Sequence, residues 1–277
     1  MKEKINALLS ALIEQEESNR LEGLDGTAVS IYEAPLVGYA DAADPRFRGL
    51  RHPGIVGEHA ALPTDFMPEA RTVAAIFFPF SEEVRRSNRE GDDPSLLWLR
   101  ASDRGKTVIR VVCDQLIAAL EKDGVKAVEP TRQPAFQAVI GDKAVGSDVS
   151  GDPLWADKHY TCNWSERHVA FLCGLGTFGI SGGFITAKGS AGTLLTLILD
   201  REVEIAQGGC GDPYGNCTRC GACARRCPAK AIDPENGYSP EACLAREHEI
   251  MEKFAPLRGC GKCRVGVPCE YKNPAVK

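Results

Sequence analysis

The chain has 277 residues, of which 43% are hydrophobic and 26% charged, as in ordinary globular domains. Its 38 acidic and 33 basic side chains give a net charge of −5, which argues against a nucleic-acid partner such as tRNA. No run of about 18 apolar residues predicts a membrane span, and the charged N-terminus lacks the apolar core of an export signal, so we expect a cytoplasmic protein.

The first predicted element is an amphipathic helix over residues 1–15, where apolar residues recur at helical spacing. Residues 21–65 are rich in Gly, Pro and Asp, which predicts loops around one short strand at residues 28–32. Residues 72–78 (TVAAIFF) form a continuous apolar run, which is typical of a buried strand.

In the middle of the chain, apolar residues at helical spacing predict a second helix over residues 107–122. Gly124 ends this helix, and a strand is expected over residues 125–128. A helix at residues 164–173, a glycine-rich turn and a strand at residues 194–199 follow. Strand, helix and strand in this order indicate an α/β layer, whose strand directions the pattern leaves open.

The distribution of the twelve cysteines predicts two domains. Cys113, Cys162 and Cys173 are scattered, whereas nine cysteines lie between residues 210 and 269. In a reducing compartment, clustered cysteines bind metal more often than they form disulfides. We therefore expect an α/β domain over residues 1–205 that binds cofactor and substrate, followed by a cysteine module over residues 206–277.

The spacing of the module's cysteines, CxxCxxCxxxCP from Cys217 to Pro228, predicts [4Fe–4S] clusters. In two-cluster ferredoxins the first three cysteines of such a run bind one cluster and the fourth binds its partner. We therefore expect each cluster to take ligands from this run and from the cysteines downstream of it. The expected ligands of the first cluster are Cys217, Cys220, Cys223 and Cys269. Those of the second cluster are Cys227, Cys243, Cys260 and Cys263. Cys210 is left over, and structural zinc is disfavoured because the run is crowded for two separate tetrahedra.

Three stretches resemble the family of epoxyqueuosine reductase and the corrinoid-dependent reductive dehalogenases. They are FMPEARTVAAIFFPF (66–80), SERHVAFLCGLGTFGISGGFIT (165–186) and the cysteine module. The resemblance implies an α/β domain of the α+β nitroreductase type, followed by a ferredoxin-like module with two [4Fe–4S] clusters. It also implies a cobalamin near residues 160–190, whose cobalt the clusters reduce.

The resemblance also points to a proton donor, which falls on Tyr160 when counted back from Gly176. A phenol there could protonate a reduced substrate, with Asp157 as a fallback acid; the alternative is a tyrosine packed in the core. Arg167 and His168 could bind an anionic substrate or a cofactor phosphate, or lie in solvent.

The glycine-rich turn permits close approach of the backbone to a large flat ligand, or simply forms a tight connection between a helix and a strand. The glycines concerned are Gly174, Gly176, Gly179, Gly182 and Gly183. Both interpretations stay open at this point.

The chain also departs from its apparent relatives. It lacks the helical repeats that help epoxyqueuosine reductases hold tRNA, so we expect no tRNA substrate. It lacks the twin-arginine signal that is usual in the dehalogenases. The spacing from Cys263 to Cys269 is longer than in the family, which could alter the fourth ligand of the first cluster.

The expected function is an iron–sulfur oxidoreductase in which two clusters pass electrons to a corrinoid or similar cofactor above an unspecified small substrate. The electron donor would be a protein such as a ferredoxin or flavodoxin. Two alternatives remain: an electron-transfer protein without its own catalysis, and an activator that reduces a partner's corrinoid.

Overall fold

A computed structural model of the chain describes residues 1–23, 25–140, 143–146, 160–205 and 211–276. For residues 139–140, 143–146 and 160 the description covers the backbone alone. Asp157 and Cys210 therefore lie outside the described residues, as does the side chain of Tyr160. Within these ranges, no helix combines the length and the apolar character needed to cross a membrane.

The described residues include helices in both the N-terminal part of the chain and the cysteine module. In chain order they are α1 (Lys2–Gln15), α2 (Arg46–Gly49), α3 (Pro63–Phe66), α4 (Glu82–Ser87), α5 (Leu96–Lys122), α6 (Glu166–Leu172), α7 (Ala222–Arg226) and α8 (Pro240–Phe254). Single 3-10 turns lie at Glu17–Asn19, Pro130–Arg132 and Lys262–Arg264.

The strands form one central sheet and several small ones. In chain order they are β1 (Arg20–Glu22), β2 (Ala28–Ser30), β3 (Leu36–Asp41), β4 (Thr72–Pro79), β5 (Ala127–Val128), β6 (Ala138–Ile140), β7 (Lys143–Gly146), β8 (Tyr160–Cys162), β9 (Gly176–Phe178), β10 (Phe184–Thr186), β11 (Gly192–Leu199), β12 (Ile232–Asp233) and β13 (Gly237–Tyr238). The central sheet has the order β3-β4-β11-β5, and its neighbours pair antiparallel. A second sheet has the order β7-β6-β8.

Strand β4 is buried at every residue because helices cover both faces of the central sheet. On one face, Ile76 packs in a cluster with Leu9 of α1 and Leu116 of α5. On the other face, Phe77 packs in a second cluster with Val169 of α6. Side chains of a strand alternate between faces, so a strand covered on both sides is apolar without alternation. The predicted buried strand and the mixed α/β class are confirmed.

Helix α5 is longer than its apolar period predicts, since it begins at Leu96 instead of residue 107. Ser95 caps it, with Ser95 Oγ accepting a hydrogen bond from the Trp98 backbone amide at 3.0 Å. Gly105 lies inside the helix because a Cβ there would meet Tyr32 Oη at 2.4 Å. Glycine is unfavourable inside a helix, so Gly105 weakens the helical pattern of the sequence at this point. The sequence therefore predicts the start of α5 too late.

The cysteine module packs onto the turn that leads into β11. The Ser190 amide donates to the Cys269 carbonyl at 2.8 Å, and the Ala191 amide donates to the Glu270 carbonyl at 3.2 Å. Gly189 lies so close to this segment that a Cβ would fall 2.4 Å from the Glu270 carbonyl oxygen. The last predicted ligand of the module, Cys269, is thus held by the turn immediately before β11.

Candidate functional site: two cysteine sets and a central cavity

The first cysteine set (Cys217, Cys220, Cys223 and Cys269) lines one small cavity. Cys217 and Cys220 lie in the loop before α7, Cys223 lies in α7, and Cys269 lies close to the end of the chain. Ser190 Oγ lies 3.9 Å from Cys269 Sγ, within reach of a hydrogen bond to sulfur. The structure therefore brings together the four cysteines that the sequence assigns to the first cluster.

The second cysteine set (Cys227, Cys243, Cys260 and Cys263) lines part of a larger cavity. Cys227 ends α7, and its sulfur accepts a hydrogen bond from the Ala231 amide at 3.3 Å. Cys243 lies in the first turn of α8, and the other two cysteines come from the loop that follows α8. Among the described residues, no three His, Cys, Asp or Glu side chains form a site for a single metal ion.

A buried lysine anchors the loop that carries Cys260 and Cys263. Lys262 is 1% exposed and donates from Nζ to the carbonyls of Asn88 at 3.0 Å and Glu90 at 2.6 Å, just after α4. Asn88 Nδ2 in turn donates to the Cys260 carbonyl at 3.0 Å. These three contacts hold the second cysteine set against the α/β domain, and the sequence alone did not reveal them.

Burial raises the pKa of some of the thiols in each set, which makes these thiols hard to ionise without a metal. Burial raises the pKa of Cys223 to about 11 and that of Cys263 to about 12. Metal ligation requires thiolates, so binding of iron to these residues would release protons. Iron bound to these sulfurs would stabilise their thiolate form.

The central cavity, of about 480 Å³, extends from the second cysteine set to the central sheet. Its walls include Phe77 of β4, Trp98 of α5 and Leu194 of β11. Its charged lining includes Glu166 and Arg167 of α6. A volume of this size is typical of pockets for small molecules.

Arg167 lies on the wall of the central cavity and donates a hydrogen bond to the Gly182 carbonyl. Burial lowers the pKa of Arg167, and the nearby Arg264 guanidinium adds to this effect. Arg264 also lines the cavity, with Nη1 3.3 Å from the Gly192 carbonyl. The two guanidinium groups give this part of the cavity a positive charge.

His168, which the sequence paired with Arg167, is a residue of α6. It is not among the residues that line the central cavity. Its Nδ1 lies 2.7 Å from Ser165 Oγ, and its ring packs 4.9 Å from the ring of Phe178. Burial, followed by the charge of Arg167, lowers the pKa of His168 to about 4, so the ring is neutral at neutral pH.

The glycines of the turn divide between structural and cavity positions. Gly174 ends α6 with a φ of +68°, and a Cβ on Gly176 would fall 2.3 Å from the Ile185 carbonyl oxygen across the β9–β10 pair. Gly179 lines the first cavity, whereas Gly182 and Gly183 line the central cavity. Gly174 and Gly176 therefore have a structural role in the connection, whereas Gly182 and Gly183 lie where a ligand in the central cavity could approach the backbone.

Two acidic side chains remain: Tyr160, which was predicted as a proton donor, and Glu166, which was not. The backbone of Tyr160 begins β8 and pairs with Ile140 of β6, but its side chain lies outside the description. Glu166 is an acid that the sequence did not single out, since a glutamate at the start of a helix is typical of favourable helix-dipole placement. Burial raises its pKa to about 8.

The cysteines outside the module line neither cavity. Cys113 is buried in α5 and belongs to the core cluster of α1 and α5. Cys173 is buried beside α6, and Cys162 Sγ donates to the Trp164 carbonyl at 3.0 Å. These residues are part of the packing of the α/β domain.

Comparisons with known proteins identify the fold. No protein-family model matches the sequence, and a search of curated proteins finds no significant match. Among solved structures, the catabolic reductive dehalogenase NpRdhA in complex with 3-bromo-4-hydroxybenzoic acid has a TM-score of 0.51 at 13% identity, over 86% of this chain and 30% of that chain. At this identity the similarity shows the fold, which this chain shares with the reductive dehalogenase.

Epoxyqueuosine reductases are also among the similar structures. The enzyme from Streptococcus thermophilus has a TM-score of 0.48 at 16% identity, over 85% of this chain and 62% of that chain. The enzyme from Bacillus subtilis has a TM-score of 0.48 at 18% identity, over 96% of this chain and 66% of that chain. Both groups named by the sequence resemblance are thus found, and this chain spans less than two thirds of the Streptococcus enzyme.

Proposed function

We propose that the protein is an iron–sulfur oxidoreductase in which two [4Fe–4S] clusters carry electrons to an acceptor in the central cavity. The observation that carries the proposal is that four of the eight cysteines line one small cavity and the other four line part of the central cavity. These two groups are the same as those expected for a two-cluster motif, in which the fourth cysteine of the run binds the partner cluster. This agreement supports the proposal of two clusters.

The positions of the two sets give the electron path a direction. Cys220 of the first set is exposed, so electrons from a ferredoxin or flavodoxin would enter there. The second set opens into the central cavity, so electrons would leave there. This arrangement supports an external donor at one end of the proposed cluster pair and an internal acceptor at the other.

The proposed acceptor is a corrinoid such as cobalamin, or a similar cofactor, acting on a small substrate. Arg167 could bind an anionic group of such a cofactor, and Gly182 and Gly183 allow its close approach. Cobalamin is larger than the central cavity, whose volume is about 480 Å³. Part of a corrinoid bound here would therefore lie outside the cavity. When bound, it would supply a cobalt centre that accepts electrons, with Tyr160 as the proposed proton donor.

Anaerobic reconstitution with iron and sulfide tests the proposal. We expect about eight iron and eight sulfide per chain, and an EPR signal of reduced [4Fe–4S] clusters. Cys220→Ala and Cys263→Ala should each lose about half of the iron, because they belong to different sets. Cys162→Ser and Cys210→Ala, which change cysteines outside both sets, should keep all of it.

Two results would contradict this scheme. Loss of a cluster in Cys210→Ala would show that the ligand assignment is wrong. Full clusters without any shift of added cobalamin toward its base-off spectrum would favour the electron-transfer protein without its own catalysis.

A further inference from the structure

Two arginine side chains reach the central cavity, one from the α/β domain and one from the cysteine module. Arg167 belongs to α6, and Arg264 belongs to the 3-10 turn that also contains Cys263. A backbone carbonyl holds each guanidinium group at the cavity wall. Arg167 donates to the Gly182 carbonyl, and Arg264 Nη1 donates to the Gly192 carbonyl at 3.3 Å. Both glycines line the cavity, so these contacts place the two positive charges along it.

Each guanidinium group keeps hydrogen-bond donors that the described residues do not use. A guanidinium group carries five N–H donors, and the hydrogen bonds to Gly182 and Gly192 are the ones that the described residues provide. Nε and Nη2 of Arg264 are in contact with solvent, because the buried side-chain nitrogens without a partner belong to other residues. Arg167 is exposed although protein surrounds it, because the cavity is open to solvent. A ligand in the cavity can therefore reach both groups.

The positive charge of this arginine pair is not neutralised within the described part of the chain. Neither Arg167 nor Arg264 forms an ion pair there. Burial, followed by the charge of Arg264, lowers the pKa of Arg167, so the two groups repel each other. Of the acidic residues in the cavity wall, Glu166 accepts at Oε1 from Thr196 Oγ1, 3.2 Å away, and Glu247 forms no hydrogen bond or ion pair among the described residues. An anion bound to both guanidinium groups would offset their repulsion.

Other basic residues of the cavity wall differ from this pair. Arg246 forms ion pairs with Asp93 at 2.7 Å and with Glu249 at 2.7 Å. The ammonium group of Lys262 donates to the backbone carbonyls after α4. Lys106 of α5 lines the cavity and forms no ion pair in the described part of the chain. The charge that is free to bind an anion therefore lies on the arginine pair, with Lys106 as an additional cation of the wall.

We propose that Arg167 and Arg264 together bind the anionic group, a carboxylate or a phosphate, of a small organic molecule in the central cavity. Planar guanidinium groups bind both of these anions through pairs of parallel hydrogen bonds. A cavity of about 480 Å³ leaves room for the organic part of the molecule. Phe77, Phe80 and Trp98 give this part apolar walls.

The inference rests on the proposed function, since it names the kind of molecule that would meet the second cluster. Arg264 follows Cys263 directly in the sequence, so an anion bound to Arg264 lies beside the second cysteine set. The sequence indicated Arg167 and His168 for an anion. The structure supplies Arg264 in place of His168, which does not line the cavity.

Ligand-observed NMR of the anaerobically reconstituted protein tests the site, with phenylacetate as the probe. Its carboxylate suits the arginine pair, and its ring suits the apolar walls. The neutral isostere phenylacetamide should bind about tenfold more weakly. Arg167→Met and Arg264→Met should each weaken phenylacetate binding about tenfold, because each removes charge-assisted hydrogen bonds. Both variants should change phenylacetamide binding by less than about threefold.

Further variants control for charge and for folding. Lys126→Met removes the same charge at an exposed site outside the cavity and should leave phenylacetate binding unchanged. Arg167→Lys and Arg264→Lys keep the charge but lose the planar fork. They should fold and still bind phenylacetate about threefold more weakly than the wild type. Circular dichroism and the iron content of each variant show whether it has folded.

Cobalamin and cobinamide distinguish two sources of the anionic group. Cobalamin carries a phosphodiester in its nucleotide tail, and cobinamide lacks this tail. If the site binds the cofactor, Arg167→Met should weaken binding of cobalamin but not of cobinamide, and cobalamin should displace phenylacetate. If the site binds the substrate, the variant should bind both corrinoids like the wild type, and phenylacetate should still bind in the presence of cobalamin. Either result supports the anion site.

Equal affinity of the wild type for phenylacetate and phenylacetamide would overturn the inference, as would unchanged phenylacetate binding in both methionine variants. Loss of about half of the iron in Arg264→Met, with unchanged phenylacetate binding, would show that Arg264 serves the charge of the second cluster instead. Protein that takes up no iron would contradict the proposed function. The two failures are distinguishable because the NMR titration measures anion binding independently of the iron content.

Discussion

Arg89, just beyond α4, forms a bidentate ion pair with Glu270, the residue after Cys269. Arg89 Nη2 lies 2.7 Å from Glu270 Oε1, and Arg89 Nε lies 3.1 Å from Glu270 Oε2. The Glu270 side chain is 3% exposed, and it also accepts from the Gly266 amide at 2.7 Å. This carboxylate therefore joins the α/β domain to the segment that carries the last ligand of the first cysteine set.

Arg89→Met should destabilise the protein, because it leaves the buried Glu270 carboxylate with fewer partners. We expect a loss of about 1–3 kcal/mol in the free energy of unfolding. The measurement is urea unfolding of the reconstituted protein, with iron content as a second readout. Lys126→Met is the matched control, since its ion pair with Glu69 is exposed and should contribute less than about 1 kcal/mol. Equal effects of the two substitutions would show that the buried pair does not fix the module.

The sequence indicates the loop that carries Cys217, Cys220 and Cys223 because the spacing of these three cysteines is a local property. A segment of seven residues, 217–223, can bring three sulfurs to one cluster, and the end of a helix can turn the fourth away. Strand β4 is predicted for a related reason, since burial on both faces leaves a continuous apolar run. In these cases the physical constraint acts on residues that are neighbours in sequence.

The contacts of Glu166 and Lys262 could not be predicted in this way. Glu166 becomes a buried acid only because β11 brings Thr196 beside α6, thirty residues further along the chain. Lys262 is buried only because the carbonyls after α4 accept its hydrogen bonds. Glutamate and lysine are usually exposed, so the sequence predicts surface positions for both residues. Contacts with residues far away in the chain bury them instead.

His168 should make stability depend on pH. Its pKa falls from 6.5 to about 4 on folding, so the unfolded chain binds more protons between these values. Stability is therefore lost as the pH falls through this range, by about 2 kcal/mol between pH 7 and pH 5. Comparing thermal or urea unfolding at these two pH values for the wild type and His168→Gln measures the effect. The prediction is wrong if the variant loses as much stability as the wild type.

Two glycine substitutions separate the structural part of the glycine-rich turn from its cavity part. Gly176→Ala should destabilise the protein by about 1–3 kcal/mol, because its Cβ would collide with the Ile185 carbonyl. A Cβ on Gly183 meets only Ser181 Oγ, at 3.1 Å, so Gly183→Ala should change stability by less than about 1 kcal/mol. Gly183→Ala should instead weaken binding of added cobalamin, measured by absorption titration. Unchanged binding in this variant would assign the whole turn a structural role.

The surface around Cys220 predicts how an electron donor approaches. Arg219 lies over the ring of Tyr214, 5.2 Å from its centre, and Arg225 Nη1 donates to the Cys220 carbonyl at 3.2 Å. Both arginines are exposed, and neither forms an ion pair with a carboxylate in the described part of the chain. They give the exposed edge of the first cysteine set a positive charge on a protein whose net charge is −5.

Reversing both charges, with Arg219→Glu and Arg225→Glu together, should slow reduction of the clusters by an acidic ferredoxin about tenfold or more at low ionic strength. Salt should reduce the difference, because exposed charges are screened beyond about 10 Å at 0.1 M. Stopped-flow absorption of the cluster bands measures the rate, with dithionite as a small reductant whose rate should change little. Lys126→Glu, at an exposed site of the α/β domain, serves as the control for net charge. If it slows the ferredoxin reaction as much as the double reversal, the donor does not approach at Cys220.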